Sequence, residues 1–404
     1  MVSLTRPTVD SLNASVPIAG RAEALAEYER LPVPTSADEA WRYIDHDLDP
    51  DRLALAVDPG PAMAADLFVS EFQSPSNAVM VDGHTLWARG SNIESGVRVL
   101  GLVEPSLDKF AAAHLAFVTG GVVVEVPAGA TPANPVLVDL QTVSDGVIAF
   151  PHVTIQLGAN SEASVVLVSR SPAGVGAVAV PQVEVDLADS ARLRLLLVQN
   201  LGLEASNITQ LRARLGRDSS LRLGEVGLGA HLGRLDLGVV LEGQGSSADV
   251  VGVFFGHREQ TLDYRMRLTH VGRKTSSRVL LKGAVEDAAQ SIFAGLVRIE
   301  KPAIGASAFE TNRNLVLSPQ AKAQSIPNLE ILCDDVMCGH GSSVGPLDEE
   351  HLYYLQSRGL RRAPAERLLV RGFFSEVLDR LPVKGLEAAL ADFFERRFAH
   401  EENA

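Results

Sequence analysis

The sequence predicts a mainly β fold in which a β-helix is flanked by helical segments. From Gly120 onward helical periodicity gives way to more than 200 residues of alternating strands, which are punctuated by Gly, Asn, Ser and Pro. Successive strands begin roughly every 14–15 residues, near Ala191, Ser206, Ser220, Arg234, Asp249, Asp263, Ser277 and Ser291. A fixed structural period of this kind is typical of a solenoid.

The strands alternate in polarity, as half-buried strands do. Leu193, Leu195 and Leu197 are predicted to face inward, while Arg192 and Arg194 face outward. Residue identities show no obvious tandem motif, so the period is interpreted as structural. Connections such as 243–247 are too long for two-residue hairpins, which favours a β-helix over the alternative β-sandwich.

The first 117 residues are predicted to form a mostly helical domain that also contains one hairpin. A helix is expected over Ala19–Leu31, and a second short helix after Pro34 with Thr35 or Ser36 as its N-cap. Trp41 and Tyr43 are expected to anchor this region to the body of the protein. The hairpin runs over Val79–Ala88 through Asp82-Gly83, and an amphipathic helix is expected over Pro105–Phe117.

Helical patterning returns after the predicted β-helix core at 118–346, so 347–404 is assigned to a C-terminal helical domain. Asp348 is expected to cap a helix that ends at Arg358 and Gly359, and Pro364 to lie in the first turn of the next. The apolar faces either pack on the solenoid or await a partner. The expected apolar stripes comprise Ala365, Leu369, Phe373, Val377 and Leu381, and then Leu386, Leu390, Phe393, Phe394 and Phe398.

Composition limits the classes of function. The chain has 404 residues, a formal net charge of −14 and two cysteines. The acidic balance argues against nucleic acid or an anionic membrane as the main partner. No secretory signal and no apolar run of about 18 residues is visible, and two cysteines give no disulfide framework. The sequence therefore predicts a cytoplasmic protein.

The usual signatures of enzymes are missing from the sequence. Lys274-Thr275 follows Arg273 rather than Gly, so there is no P-loop, and no Gly-x-Gly-x-x-Gly opens a helix after a strand. No Gly-x-Ser-x-Gly or His-Glu-x-x-His occurs. We therefore expect a non-enzymatic protein that binds no nucleotide.

The unusual residues are concentrated between the strands and the helical tail. Cys333, Cys338 and His340 combine thiol and imidazole groups, which suit iron, zinc or copper. Their spacing matches no structural zinc motif. Cys333 ends an apolar strand and is better interpreted as an inert core residue. Cys338 and His340 are flanked by glycines. Two interpretations of them stay open: a metal or thiol-transfer site, or a surface turn without a function.

The residues around this segment resemble a known family. The sequence ETNRNLVLSPQAKAQSIPNLEILCDDVMCGHGSSVGPLDEEHLYYLQSRGL, from Glu310 to Leu360, resembles the signature of the SufB/SufD family of iron–sulfur cluster assembly proteins. Similarity extends over Leu268–Gly295 and Val370–Leu381, and more weakly over Leu31–Asp47. The segment is similar to the SufD branch, because Arg313 lies in a stretch where SufB chains carry a cysteine. One departure is Asp263-Tyr264-Arg265, where many relatives have a histidine.

The resemblance implies a right-handed parallel β-helix with helical domains at both ends. It also implies a scaffold role in a complex with SufB and the SufC ATPase. His340 corresponds to the family position proposed to meet the nascent cluster at the SufB interface, and Cys338 to a nearby family cysteine. The cofactor is then a transient iron–sulfur cluster shared with SufB. The residues expected to dock SufC are Asp348, Glu349, Leu352, Tyr353, Leu355, Arg358, Leu369 and Phe373.

Two other readings stay open. In one, the chain is a purely structural partner of SufB that contributes no iron ligand. In the other, it is a carbohydrate-active β-helix enzyme, which needs paired carboxylates on one sheet and usually a secretion signal. Whether the chain pairs with a second copy of itself, or binds iron or flavin alone, stays open as well.

Overall fold

The computed structural model describes residues 1–72, 74, 77–386, 389, 390 and 393. Over these residues, 23 strands form two sheets of 13 and 10 strands that face one another. Sheet A contains β1 (Val2–Ser3), β2 (Ala54–Leu55), β5 (Ile93–Ser95), β6 (Gly120–Val126), β8 (Val147–Ala149), β9 (Pro151–Leu157), β11 (Val178–Ala179), β12 (Gln182–Leu187), β14 (Ser206–Leu215), β16 (Leu232–Leu241), β18 (Thr261–His270), β20 (Gln290–Ile299) and β22 (Lys322–Ile331). Sheet B contains β3 (Asn77–Val81), β4 (His84–Arg89), β7 (Val136–Gln141), β10 (Glu162–Arg170), β13 (Arg192–Asn200), β15 (Ser220–Gly227), β17 (Ser247–Gly256), β19 (Ser276–Val285), β21 (Ala306–Val316) and β23 (Val336–Gly345).

The predicted β-helix is confirmed. From β12 onward the chain alternates between the two sheets, and each strand pairs in parallel with the strand one coil earlier, as β16 does with β14 and β18. The predicted strand starts agree with the structure to within two residues. Inward side chains fill the space between the sheets, here called the lumen, with a core made chiefly of Leu and Val. The right-handed sense of the coil stays a prediction.

A short sequence repeat that was not predicted forms one corner of the coils. Gly-x-x-Ser/Thr recurs as Gly158–Ser161, Gly216–Ser219, Gly243–Ser246 and Gly272–Thr275. In each, the hydroxyl donates to the glycine carbonyl at 2.7–3.1 Å. Glycine is required because an added Cβ would lie only 2.0–2.8 Å from the backbone of the preceding coil. The residue two positions after the glycine has a positive φ, including Lys274 at 54°.

Replacing Lys274 by glycine is therefore expected to stabilise the protein. A left-handed backbone costs an L-residue roughly 1–2 kcal/mol, and the added flexibility of glycine offsets part of that gain. We expect the free energy of unfolding to rise by about 0.5–1 kcal/mol in urea titrations. Arg273→Gly, one position earlier and outside the positive-φ region, is the matched control and should lower stability. The same loss in both variants would contradict the argument.

The N-terminal segment packs mainly on the outer face of sheet A, whereas its short helix at Leu67–Ser70 packs against the outer face of sheet B. Its helices are α1 (Arg6–Ser15), α2 (Arg21–Arg30), α3 (Leu67–Ser70) and α4 (Lys109–Phe117), with 3₁₀ turns at Glu39–Trp41 and Pro50–Arg52. The second helix predicted after Pro34 is wrong, because only the turn at Glu39–Trp41 forms there. The helix expected to be amphipathic, α4, is instead buried on all sides. The predicted hairpin is confirmed as β3–β4, with positive φ at Asp82 and Gly83.

Two C-terminal helices follow the strands, α5 (Glu349–Ser357) and α6 (Arg362–Arg380). Asp348 caps α5 as predicted, and Gly359 follows its end with a φ of 95°. Helix α6 covers part of the outer face of sheet B through Val370, Phe374 and Val377. Val370 and Phe374 are buried, one position beyond the predicted Leu369 and Phe373, which are half-buried.

The predicted third helix falls largely on residues whose structure is not described. Leu386 and Leu390 are buried against the outer face of sheet B, and Phe393 packs at the edge of that cluster. Phe394 and Phe398 lie outside the described residues. Among the helices that the structure describes, none is long and apolar enough to cross a membrane.

Candidate functional site: the open end of the solenoid

The last coil leaves both sheets with an open edge. In the part of the chain that the structure describes, β22 pairs only with β20 and β23 only with β21. Open strand edges present unpaired backbone N–H and C=O groups, which are a template for pairing with another chain. Exposed apolar side chains accompany these edges: Ile331, Leu332, Met337 and Val344. This end of the solenoid is therefore suited to contact another protein.

Cys338 and His340 lie together on β23 at the mouth of the lumen. Their register partners on β21 are Ala308 and Glu310, which are buried and face inward. Cys338 is half-buried beside the terminal lumen core, while His340 is exposed. Gly339 between them faces outward, where an added Cβ would lie 3.5 Å from the ring of Phe309. The strand period thus places a thiol and an imidazole on the same side of one edge strand.

Cys333 occupies a different environment from Cys338. Its side chain is only 8% exposed and packs in the terminal lumen core with Val297 and Ile299. Both thiols are free. Within the described ranges, no three His, Cys, Asp or Glu side chains are grouped as a metal site would require. Cys338 and His340 are therefore at most part of a metal site.

Glu310 is a residue of this site that the sequence reading missed. Its side chain lies in the lumen one strand below His340, and burial raises the pKa of its carboxyl to about 8. Neither carboxyl oxygen has a hydrogen-bond partner among the described residues. The available signal was a carboxylate at an inward position of the alternating strand SAFETNRN.

The residues predicted to dock a partner divide into buried and exposed groups. Leu352 is buried, and Leu355, Leu369 and Phe373 are half-buried, so these four contribute mainly to packing. Tyr353 is 73% exposed, and Asp348, Glu349 and Arg358 are exposed as well. The amides of His351 and Glu350 bind the Asp348 carboxylate and lower its pKa. Three further exposed apolar residues, which the sequence reading missed, are Tyr354, Leu360 and Leu368.

Helix α6 is tied to sheet B by charged contacts as well as by apolar packing. The Lys282 ammonium lies 2.7 Å from Glu376 and donates to the Phe373 carbonyl at 2.9 Å. Arg380 pairs with Asp249 at 3.1 Å. Because Lys282 belongs to β19, two strands from β23 in the same sheet, the helical tail and the open edge share one sheet.

Comparisons with known proteins identify the family of this chain. The family described as SUF system FeS cluster assembly, SufBD core domain, matches residues 140–373. An iron–sulfur cluster assembly SufBD family protein of Mycobacterium tuberculosis is 31% identical over 375 residues, which cover 90% of this chain and 89% of that protein.

Two proteins named SufD are also similar. The iron–sulfur cluster assembly protein SufD of Bacillus subtilis is 31% identical over 366 residues, 89% of this chain and 82% of that protein. SufD of Escherichia coli is 32% identical over 160 residues, 40% of this chain and 38% of that protein. The chain therefore belongs to the SufBD family of iron–sulfur cluster assembly proteins, as a protein of the SufD type.

Proposed function

We propose that this chain is a non-enzymatic scaffold subunit that pairs with SufB through the open end of the solenoid and with the SufC ATPase through its C-terminal helices. The observation that carries the proposal is the placement of Cys338 and His340 on the same side of β23, whose outer edge pairs with no strand among the described residues. A partner strand added to this edge would bring its own side chains to the same lumen mouth.

The nascent iron–sulfur cluster is the cargo of this site rather than a resident cofactor. Thiolate and imidazole are ligands that iron accepts, and SufB would supply the remaining ones. Nucleotide hydrolysis is assigned to SufC, and we expect the complex to work in the cytoplasm. The exposed residues of the tail, Tyr353, Tyr354 and Leu368, form the surface offered to SufC. The contacts of Lys282 join that surface to sheet B.

The test is anaerobic cluster reconstitution on the complex co-purified with SufB and SufC. Cys338→Ala and His340→Ala are expected to lower the amount of cluster formed, measured by visible absorption, while leaving the complex assembled. Ser343→Ala, at an exposed position on the same strand, is the control and should reconstitute normally. Full cluster formation in both edge variants would leave this chain as a purely structural partner of SufB.

The docking assignment has its own measurement. Tyr353→Ala combined with Leu368→Ala is expected to reduce recovery of SufC in the pull-down without reducing recovery of SufB. Both side chains are exposed, so the fold should be unaffected. Undiminished recovery of SufC with the double variant would contradict the assignment of this surface to SufC. Failure to recover either partner with the unaltered chain would contradict the proposed complex.

A further inference from the structure

Glu310 is a buried acid for which the described part of the chain provides no hydrogen-bond partner. It is 1% exposed, and both of its carboxyl oxygens lack a hydrogen bond within the described residues. Burying a polar group without a partner is unfavourable, and more so when the group is charged. A group kept in such a position calls for an explanation beyond packing.

Three other buried carboxylates of the chain have partners. Asp139 is paired with Arg170 at 2.7 Å, Glu184 accepts backbone N–H groups of the loop at 100–103, and Asp82 binds two amides and a hydroxyl at 143–144. The fold thus supplies partners for these three carboxylates. Glu310 does not follow this pattern, although it lies beside the candidate site.

The space around the Glu310 carboxyl is maintained by a glycine. A Cβ added at Gly295, across the lumen on β20, would lie 2.0–2.3 Å from the carboxyl atoms of Glu310. Any larger residue at position 295 would therefore displace the carboxyl group. His340 is the direct register partner of Glu310 on the edge strand, and the backbones of two paired strands lie about 4.8 Å apart.

We propose that Glu310 and His340 together bind iron(II) at the mouth of the lumen, with Glu310 as the oxygen donor and His340 as the nitrogen donor. This inference rests on the proposed function, because it assigns the iron of that site a carboxylate ligand. Iron(II) accepts carboxylate and imidazole ligands, and a bound cation would compensate the buried carboxylate. With two donors from this chain, the other coordination positions are left to water or to the partner, as suits a cargo ion.

The test uses the isolated full chain and iron(II) alone, under anaerobic conditions, with bound metal measured by equilibrium dialysis. We expect Glu310→Gln and His340→Ala each to weaken iron(II) binding at least about tenfold. The matched control is Glu330→Gln, a carboxylate of the neighbouring edge strand β22 whose side chain is 49% exposed and paired with Arg298. This control should bind iron(II) as the unaltered chain does.

The fold of the variants is checked by thermal unfolding. Glu310→Gln keeps the shape of the side chain and removes an unpartnered acid, so its melting temperature should not fall. Iron(II) binding that is equal in Glu310→Gln and the unaltered chain, or that is missing from the unaltered chain, would overturn the inference. Cluster formation on the SufB–SufC complex that still depends on Cys338 and His340 would then leave the proposed function standing.

Discussion

Glu225→Gln is expected to raise the free energy of unfolding relative to the unaltered chain, by an amount that grows between pH 5 and pH 8. Glu225 is an inward-facing residue of β15 and borders a lumen cavity of about 30 Å³, together with Tyr264 and Asn207. Burial raises the pKa of its carboxyl from 4.5 to about 8. The cavity is large enough for about two water molecules.

The sign of the effect follows from proton binding. Between pH 4.5 and pH 8 the folded chain retains a proton on Glu225 that the unfolded chain has released, so stability falls as the pH rises. The contribution is fully present below pH 4.5 and is lost as the pH approaches the folded pKa. Glutamine has no proton to release, so the variant should gain about 3–4 kcal/mol on the unaltered chain between pH 5 and pH 8.

Urea titrations at several pH values measure this difference. Glu259→Gln, at an exposed loop position, is the matched control and should follow the pH profile of the unaltered chain. Parallel profiles for Glu225→Gln and the unaltered chain would show that the Glu225 carboxyl titrates alike in the folded and unfolded states.

Asp263→Asn is expected to lower the free energy of unfolding by about 3–5 kcal/mol, because it removes the nearer carboxylate of the buried Arg234 and leaves only Asp236, 3.6 Å away. The Asp263 side chain is fully buried between Arg234 and Arg265. Arg234 also lies over the Trp41 ring, with its guanidinium carbon 4.2 Å from the ring centroid, and donates to the Ala40 carbonyl at 2.9 Å.

Because these contacts hold the segment around Glu39–Trp41 on sheet A, the variant should also expose that segment to protease. Urea titration and limited proteolysis measure the two effects. Asp186→Asn breaks a surface pair with Arg214 on the same sheet and should cost less than about 1 kcal/mol. Combining Asp263→Leu with Arg234→Leu should recover part of the loss, since the fully buried arginine is removed together with its carboxylate and only Arg265 then lacks its Asp263 partner. Equal losses in Asp263→Asn and Asp186→Asn would contradict the argument.

The β-helix could be predicted from sequence because its signals are local. Inward leucines such as Leu193 and Leu195 alternate with outward arginines, and both leucines are buried as expected. Asp82-Gly83 specified a two-residue hairpin, because both residues adopt positive φ there. The corner repeat was also readable, as Gly-x-x-Ser/Thr, but it requires comparing residues a whole coil apart.

The N-terminal segment was mispredicted for a tertiary reason. Its sequence has helix-forming residues after Ser36, yet sheet A binds the backbone carbonyls that a helix would use. Arg265 donates to the Arg42 carbonyl at 2.7 Å, and Gln290 to the Tyr43 carbonyl at 2.9 Å. Local propensity is a weak prior against such contacts. Trp41 is buried as an anchor, whereas the Tyr43 ring is exposed and only its backbone is held.

The site was predictable in part. Cys338 and His340 stood out because both carry metal-binding groups, and the strand places them on one side as their spacing requires. Glu310 and Glu225 were not predicted because the period-2 pattern identifies inward positions by their apolar residues. An inward acid interrupts the alternation of apolar and polar residues. It is nevertheless more informative about function than an inward leucine.

The repeated corner makes the coil, rather than the strand, the unit in which this chain can change length. A deletion from Gly216 to Glu242 would join Leu215 to Gly243, which begins the same Gly-x-x-Ser/Thr corner. Side chains on both sides of such a joint would keep their inward or outward orientation. Loss of one residue within a strand would instead turn every following side chain of that strand to the opposite face. Homologous chains are therefore expected to differ by whole coils, with the edge that carries Cys338 and His340 preserved at the end.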